Sequence, residues 1–111
     1  MKHSIAAAAL VAAACAASAS FAADPAAGKK VASGMCAVCH GVDGIAKQPD
    51  APHLAAENVE YLMRQLKAFK AGERKHEQMS IIAQSLSDQD IADLAAWYSS
   101  IKLTVQVPQQ R

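Results

Sequence analysis

Hydrophobic residues recur at helical spacing in the middle of the chain. The apolar positions follow an i, i+3, i+4, i+7 pattern and are Val59, Leu62, Met63, Leu66 and Phe69. Gly72 comes shortly after this run, and a glycine in that position typically ends a helix. The pattern therefore predicts a helix from about residue 58 to residue 71.

A second amphipathic segment begins at Ser87. Serine is a favoured N-cap residue, and Asp90 stands three residues later, where a capping box usually has glutamate. The acidic residues at the start of this segment suit the positive end of a helix dipole. Its apolar face consists of Ile91, Leu94, Ala95, Tyr98 and Ile101. A helix is predicted here as well.

Two shorter helices are indicated elsewhere. Asp24 followed by Pro25 is typical of a helix start, and Gly34 is expected to end that helix just before residue 36. A polar loop over residues 73–79 precedes a short helix that contains Ile81 and Ile82. We find no βαβ or hairpin signal, and glycines and prolines mark a long loop over residues 41–52. The sequence thus predicts an all-α fold.

The N-terminal segment has the features of a secretory signal peptide. Lys2 and His3 precede an apolar run over residues 5–17, which is too short for a comfortable membrane anchor. Cleavage is expected after Ala22, although residues 17–19 form a second acceptable site. An alternative is a lipoprotein acylated at Cys15. The predicted organisation is a cleaved signal peptide, residues 1–22, and a single domain, residues 23–111.

The composition of the predicted domain excludes some functions. Without Lys2, ten lysines and arginines stand against ten aspartates and glutamates, so the domain is formally neutral. This balance argues against nucleic acid binding, which usually needs a basic excess. The domain is also small and has only four aromatic residues, and such a domain usually needs an additional stabilising element. We expect no stable membrane anchor.

The motif Cys36-Ala37-Val38-Cys39-His40 carries the chemistry of the chain. C-x-x-C-H is the attachment pattern of a c-type haem. Residues three apart lie on the same face of a helix, so the Cys36 and Cys39 thiols can form thioethers with the two vinyl groups of one porphyrin. His40 then becomes the proximal ligand of the iron. The sequence predicts one covalently bound haem c.

Other uses of a C-x-x-C motif fit less well. A zinc site would need two further ligands at short spacing, but the histidines at positions 3, 53 and 76 are scattered singly. A thioredoxin-like dithiol would need a surrounding βαβ pattern, whereas the flanks look helical. Both alternatives are disfavoured.

The sixth iron ligand decides whether such a haem is an electron carrier. Met79 is the predicted ligand because it lies in a polar loop ahead of a short helix and can turn inwards. Met63 belongs to an apolar stripe, and Met35 directly precedes the proximal motif. His76 is an alternative ligand, although its polar neighbours suggest a solvated residue. His53 is interpreted as a surface residue or a contact to a haem propionate.

From residue 23 to residue 100 the chain resembles a class I cytochrome c, closest to the bacterial cytochrome c4/c553-type group. The resemblance rests on the motif, on residues 52–55 and 61–66, and on Met79-Ser80-Ile81-Ile82-Ala83 and residues 86–98. It implies about four helices wrapped around one covalent haem, with Met79 as axial ligand. It also implies that the Pro52 carbonyl accepts a hydrogen bond from His40, and that the first and last helices cross at Gly28. Cytochromes c4 have two such domains, whereas this chain has one motif.

The resemblance implies a monohaem electron carrier with His/Met ligation that is not itself an enzyme, and the signal peptide predicts a periplasmic location. The alternative is a haem-bearing electron-transfer subunit of a periplasmic dehydrogenase, and a gas-binding or peroxidatic haem protein is a third. Redox partner proteins are expected to dock at a basic patch around Arg64, Lys67 and Lys70, which continues to Arg74 and Lys75. A solvated helix face is the other interpretation of this cluster. A monomer or weak dimer is expected.

Overall fold

The computed structural model describes residues 22–109, which form five helices. They are α1 (Pro25–Met35), α2 (Ala37–His40), α3 (Val59–Ala71), α4 (Met79–Gln84) and α5 (Asp88–Ser100). This part of the chain contains no strand, so the all-α prediction is confirmed. Apart from Ala22, the predicted signal peptide with Cys15 lies outside the described residues. Among the helices of residues 22–109, none is long and apolar enough to span a bilayer.

The helix ends follow the local sequence in most places. Ser87 and Asp90 form the predicted capping box at the start of α5, and Gly72 ends α3 with a left-handed φ of 76°. The prediction that Gly34 ends α1 is wrong. The helix continues to Met35 because the Cys36 amide donates to the Ala32 carbonyl at 2.9 Å, and α2 follows at once.

Helices α1 and α5 pack against each other at Gly28. An ideal Cβ built on Gly28 would lie 1.9 Å from the backbone oxygen of Asp93, so any side chain would force the two helices apart. The Asp93 carboxylate is buried at this crossing and accepts hydrogen bonds from the Asp24 amide at 2.7 Å and from Gln89 Nε2 at 2.8 Å. The helix crossing implied at Gly28 is confirmed.

The hydrophobic core lies between α1, α3 and α5. Its buried members are Ala32, Leu62, Leu86, Ile91, Leu94, Ala95 and Tyr98. The predicted apolar faces of α3 and α5 supply most of these residues, and α4 packs on α3. Met63 is partly buried against this core, as expected for a methionine in an apolar stripe.

Lys70 joins α3 to the start of α5. Its Nζ donates a 2.6 Å hydrogen bond to the Leu86 carbonyl and lies 3.6 Å from Asp88 Oδ1. The ammonium group therefore has two partners within the fold, which distinguishes Lys70 from the exposed cations of α3.

Candidate haem site

Helix α2 brings the two cysteines and the histidine of the motif together within one turn. The His40 amide donates to the Cys36 carbonyl at 2.9 Å, and the Cys39 amide donates to the same carbonyl at 3.3 Å. Cys36 and Cys39 are both free and half-buried, and His40 is buried. Both thiols and the imidazole line the same cleft.

A hydrogen bond to Pro52 orients the His40 ring. His40 Nδ1 lies 2.9 Å from the Pro52 carbonyl oxygen. A carbonyl can only accept, so Nδ1 must carry the proton and the neutral ring keeps the lone pair of Nε2 free. This tautomer is the one that binds a metal through Nε2.

The loop that presents Pro52 is fastened by backbone contacts around Gly44. The Gly44 carbonyl accepts from the Leu54 amide at 2.8 Å and from the Ala55 amide at 3.1 Å. Gly44 has a φ of 73°, and a Cβ there would lie 2.5 Å from the Ala55 nitrogen. Glycine is therefore required at position 44, because a side chain there would clash with the backbone of the neighbouring loop segment at Ala55.

Helix α5 holds the other end of this loop with two aromatic side chains. Trp97 Nε1 donates to the Val42 carbonyl at 2.8 Å, and the buried Tyr98 hydroxyl donates to the Gly41 carbonyl at 3.0 Å. The peptide groups directly after His40 are thus tied to the core. These contacts fix the backbone on both sides of the His40–Pro52 hydrogen bond.

The cleft has a volume of about 330 Å³ and is mostly apolar. Small-molecule pockets typically measure about 300–1,000 Å³. Its apolar lining includes Ala51, Leu54, Leu62, Leu66, Phe69, Ile82, Leu94 and Ala95. Cys36, Cys39, His40, Pro52 and Met79 also line it, so the structure brings all five predicted site residues to one cavity.

Met79 is the first residue of α4 and is half-buried. The predicted position in a loop ahead of the helix is therefore wrong by a single residue. Met35 and His76 also line the cleft, but Met35 directly precedes Cys36. His76 is exposed, as its polar neighbours indicate.

Burial controls the protonation of Cys36 and Tyr98. Burial raises the pKa of the Cys36 thiol to about 11, and a hydrogen bond with Tyr98 opposes this shift. Burial, followed by the proximity of Cys36, also raises the pKa of Tyr98. Before Cys36 is converted to a thioether, both groups are therefore neutral at physiological pH.

Arg74 closes part of the cleft with contacts that sequence reasoning missed. Its Nη1 donates to Gln65 Oε1 at 2.6 Å, and its guanidinium lies 4.5 Å from the centre of the Phe69 ring. All three residues line the cleft. The sequence does not predict the contact between Arg74 and Gln65, because it depends on the path that the chain takes through the turn at Gly72.

A family model described as cytochrome c matches residues 25–102, which include the whole cleft. The chain belongs to the cytochrome c family. This membership decides between the interpretations of the motif in favour of haem attachment. One haem c is bound covalently through the C-x-x-C-H motif, and the cysteines, the free Nε2 and the apolar lining fit such a group.

The relatives identify a group within the cytochrome c family. Cytochrome c4 of Pseudomonas aeruginosa is 42% identical over 82 residues, which cover 74% of this chain and 40% of that protein. Cytochrome c-554(548) of Halomonas halodenitrificans is 46% identical over 70 residues, covering 60% of this chain and 84% of that protein. The solved structure of reduced recombinant cytochrome c4 from Pseudomonas stutzeri superimposes with a TM-score of 0.68 at 40% identity, covering 76% of this chain and 48% of that one.

The predicted resemblance to class I cytochromes of the c4 group is confirmed, and so is the fold. The chain spans about half or less of the length of the cytochrome c4 relatives that it matches. A more distant match is the thiosulfate dehydrogenase electron acceptor of Stutzerimonas stutzeri, 32% identical over 69 residues, which cover 60% of this chain and 32% of that protein.

Proposed function

We propose that the chain is a periplasmic one-electron carrier in which Cys36 and Cys39 form the thioethers and His40 and Met79 are the axial iron ligands. Haem c, when bound, supplies an iron that takes one electron from a donor protein and passes it to an acceptor protein. The main support is that a single apolar cleft is lined by both thiols, the oriented imidazole and the Met79 side chain.

Each residue has a distinct part in this proposal. His40 supplies a neutral imidazole nitrogen, and the Pro52 carbonyl keeps its ring plane and tautomer. Met79 supplies a neutral thioether, a ligand that favours ferrous iron and raises the reduction potential. The apolar lining limits access of water. Such a ligand set stays the same in both oxidation states, which suits electron transfer better than catalysis.

The location is part of the proposal. It rests on the predicted signal peptide, residues 1–22, which would release a domain of residues 23–111. Its predicted state as a monomer or weak dimer also stays a prediction.

The optical spectrum of the purified protein tests the proposed function. We expect a low-spin spectrum with a sulfur-to-iron charge-transfer band in the ferric state. The ferrous spectrum should not change when carbon monoxide is added, because Met79 occupies the sixth position. A high-spin spectrum that shifts with carbon monoxide would show an open iron and contradict an electron carrier with His/Met ligation.

The predicted docking patch becomes narrower when the side-chain contacts are considered. Arg64 and Lys67 are exposed on α3, whereas Lys70 and Arg74 have partners within the fold. We therefore propose that Arg64 and Lys67 are the cations that attract an acidic redox partner. Opposite charges accelerate encounter, and salt weakens this effect.

The oxidation of the ferrous protein by ferricyanide, an anion, tests this patch. The double substitution Arg64→Glu/Lys67→Glu should slow oxidation by about threefold to tenfold at low ionic strength and flatten its salt dependence. The control is Lys30→Glu/Lys102→Glu, which makes the same charge change at two other exposed positions. Equal effects of the two double variants would mean that only net charge matters.

A haem-bearing subunit of a periplasmic dehydrogenase is the second candidate. The match to a thiosulfate dehydrogenase electron acceptor favours it. Purification of the tagged chain from its own host separates the two candidates. Co-purification of a larger catalytic protein in constant ratio would favour the dehydrogenase-subunit hypothesis. Isolation of the chain alone would favour the free electron carrier.

A further inference from the structure

The turn before Met79 is held by reciprocal hydrogen bonds between His76 and Ser80. The His76 amide donates to Ser80 Oγ at 2.9 Å, and the Ser80 amide donates to the His76 carbonyl at 3.0 Å. In addition, His76 Nδ1 accepts from the amides of Gln78 and Met79 at 3.2 and 3.3 Å. These hydrogen bonds fix the backbone on both sides of Met79, the residue that we propose as the sixth ligand.

His76 replaces the usual cap of α4. Gln78, which occupies the N-cap position, has helical backbone angles and no capping side-chain hydrogen bond. The first amides of a helix need acceptors. His76, two residues before the N-cap, supplies such an acceptor with its imidazole Nδ1, and the Met79 amide is one of the donors.

The same geometry argues against His76 as an iron ligand. An Nδ1 that accepts amide protons has no proton of its own, so a neutral ring carries its proton on Nε2. Neither nitrogen then has a free lone pair. In this conformation, His76 can cap the helix but cannot coordinate iron.

We propose that His76 is a positioning residue, which together with Ser80 holds the start of α4 so that the Met79 thioether stays in the cleft. This inference rests on the proposed function, because it assumes Met79 as the sixth ligand. The segment that approaches Met79, residues 73–78, is exposed throughout. Without the cap, the first turn of α4 loses its acceptor and Met79 should leave the iron more often.

Binding of exogenous imidazole to the ferric protein measures how often Met79 leaves. At a fixed pH of about 8, His76→Ala should increase the apparent imidazole affinity by about twofold to thirtyfold, the range expected for loss of a cap. His76→Asn should restore most of the wild-type value, because an asparagine oxygen can cap but cannot ligate iron as imidazole does. Ser80→Ala should raise the affinity and Ser80→Thr should not.

The control is Glu77→Ala, a change at an exposed neighbour that should leave imidazole binding at the wild-type value. Wild-type affinity in His76→Ala would overturn the proposal, as would an equal rise in His76→Asn and His76→Ala. Loss of a bis-histidine spectrum in His76→Ala would identify His76 as a ligand and also overturn it. By contrast, the absence of the sulfur-to-iron charge-transfer band from the wild-type spectrum would refute the proposed His/Met ligation itself.

Discussion

Replacement of Gly28 by alanine should destabilise the protein by about 3 kcal/mol, the upper part of the range for overpacked sites. The new Cβ would lie 1.9 Å from the Asp93 oxygen and 2.4 Å from the Asp93 carbonyl carbon. Both are backbone atoms of α5, so no side-chain rotation can relieve the clash. Helix α1 must move away, and the hydrogen bond from the Asp24 amide to the buried Asp93 carboxylate is strained with it.

Thermal and urea unfolding of the haem-bound protein measure this effect. A loss of about 3 kcal/mol should lower the Tm by roughly 12–24 °C in a domain of this size. Gly34→Ala is the matched control, because both glycines lie in α1 but nothing lies within 4 Å of a Cβ at Gly34. That variant should be more stable than wild type by about 0.5–1 kcal/mol, since alanine favours the helix. Similar Tm values for the two variants would contradict the close crossing.

The contrast between Gly72 and Gly34 shows what the sequence can predict about helix ends. A glycine after a helical run suggests a stop, and Gly72 behaves in this way because its backbone is left-handed. Gly34 keeps helical angles, because the turn of the haem motif follows immediately and the Cys36 amide still finds a helical acceptor. Residue type alone does not distinguish these cases.

The residues around His40 differ in a similar way in how far the sequence predicts them. The proximal cysteines and His40 lie within five consecutive residues, so their spacing on one turn is sufficient to predict haem attachment. The partner of His40 lies twelve residues further on at Pro52, and only the resemblance to known cytochromes indicated it. The loop around Gly44 that presents this carbonyl depends on tertiary contacts which no local pattern reveals.

Contacts of charged residues were the least predictable. Lys70 belongs to the basic cluster of α3 in the sequence, yet its ammonium group binds the Leu86 carbonyl. Arg74 likewise covers the Phe69 ring. Both contacts depend on how the chain turns after α3, since a long side chain reaches whichever acceptor the fold brings near it. This is why Arg64 and Lys67 are the cations of α3 that remain in the proposed docking patch.

Replacement of Met79 by alanine should change the iron chemistry more than any other single substitution on the distal side. Without the thioether, the sixth position is open or occupied by water. We expect loss of the sulfur-to-iron charge-transfer band, a shift towards high spin, and a ferrous spectrum that changes with carbon monoxide. The reduction potential should fall by on the order of 0.1 V, because the thioether favours ferrous iron.

Spectroscopy and a potentiometric titration of the purified variant measure these changes. Met63→Leu is the control, since Met63 packs against the core and a leucine of similar volume should keep both the band and the potential. Met35→Leu tests the third methionine in the same way, because it lines the cleft beside Cys36. If Met79→Ala kept the wild-type spectrum and either control lost the band, that other methionine would be the ligand. A wild-type spectrum that lacks the band and persists in all three variants would point to a nitrogen ligand, and His76 would then be the first residue to replace.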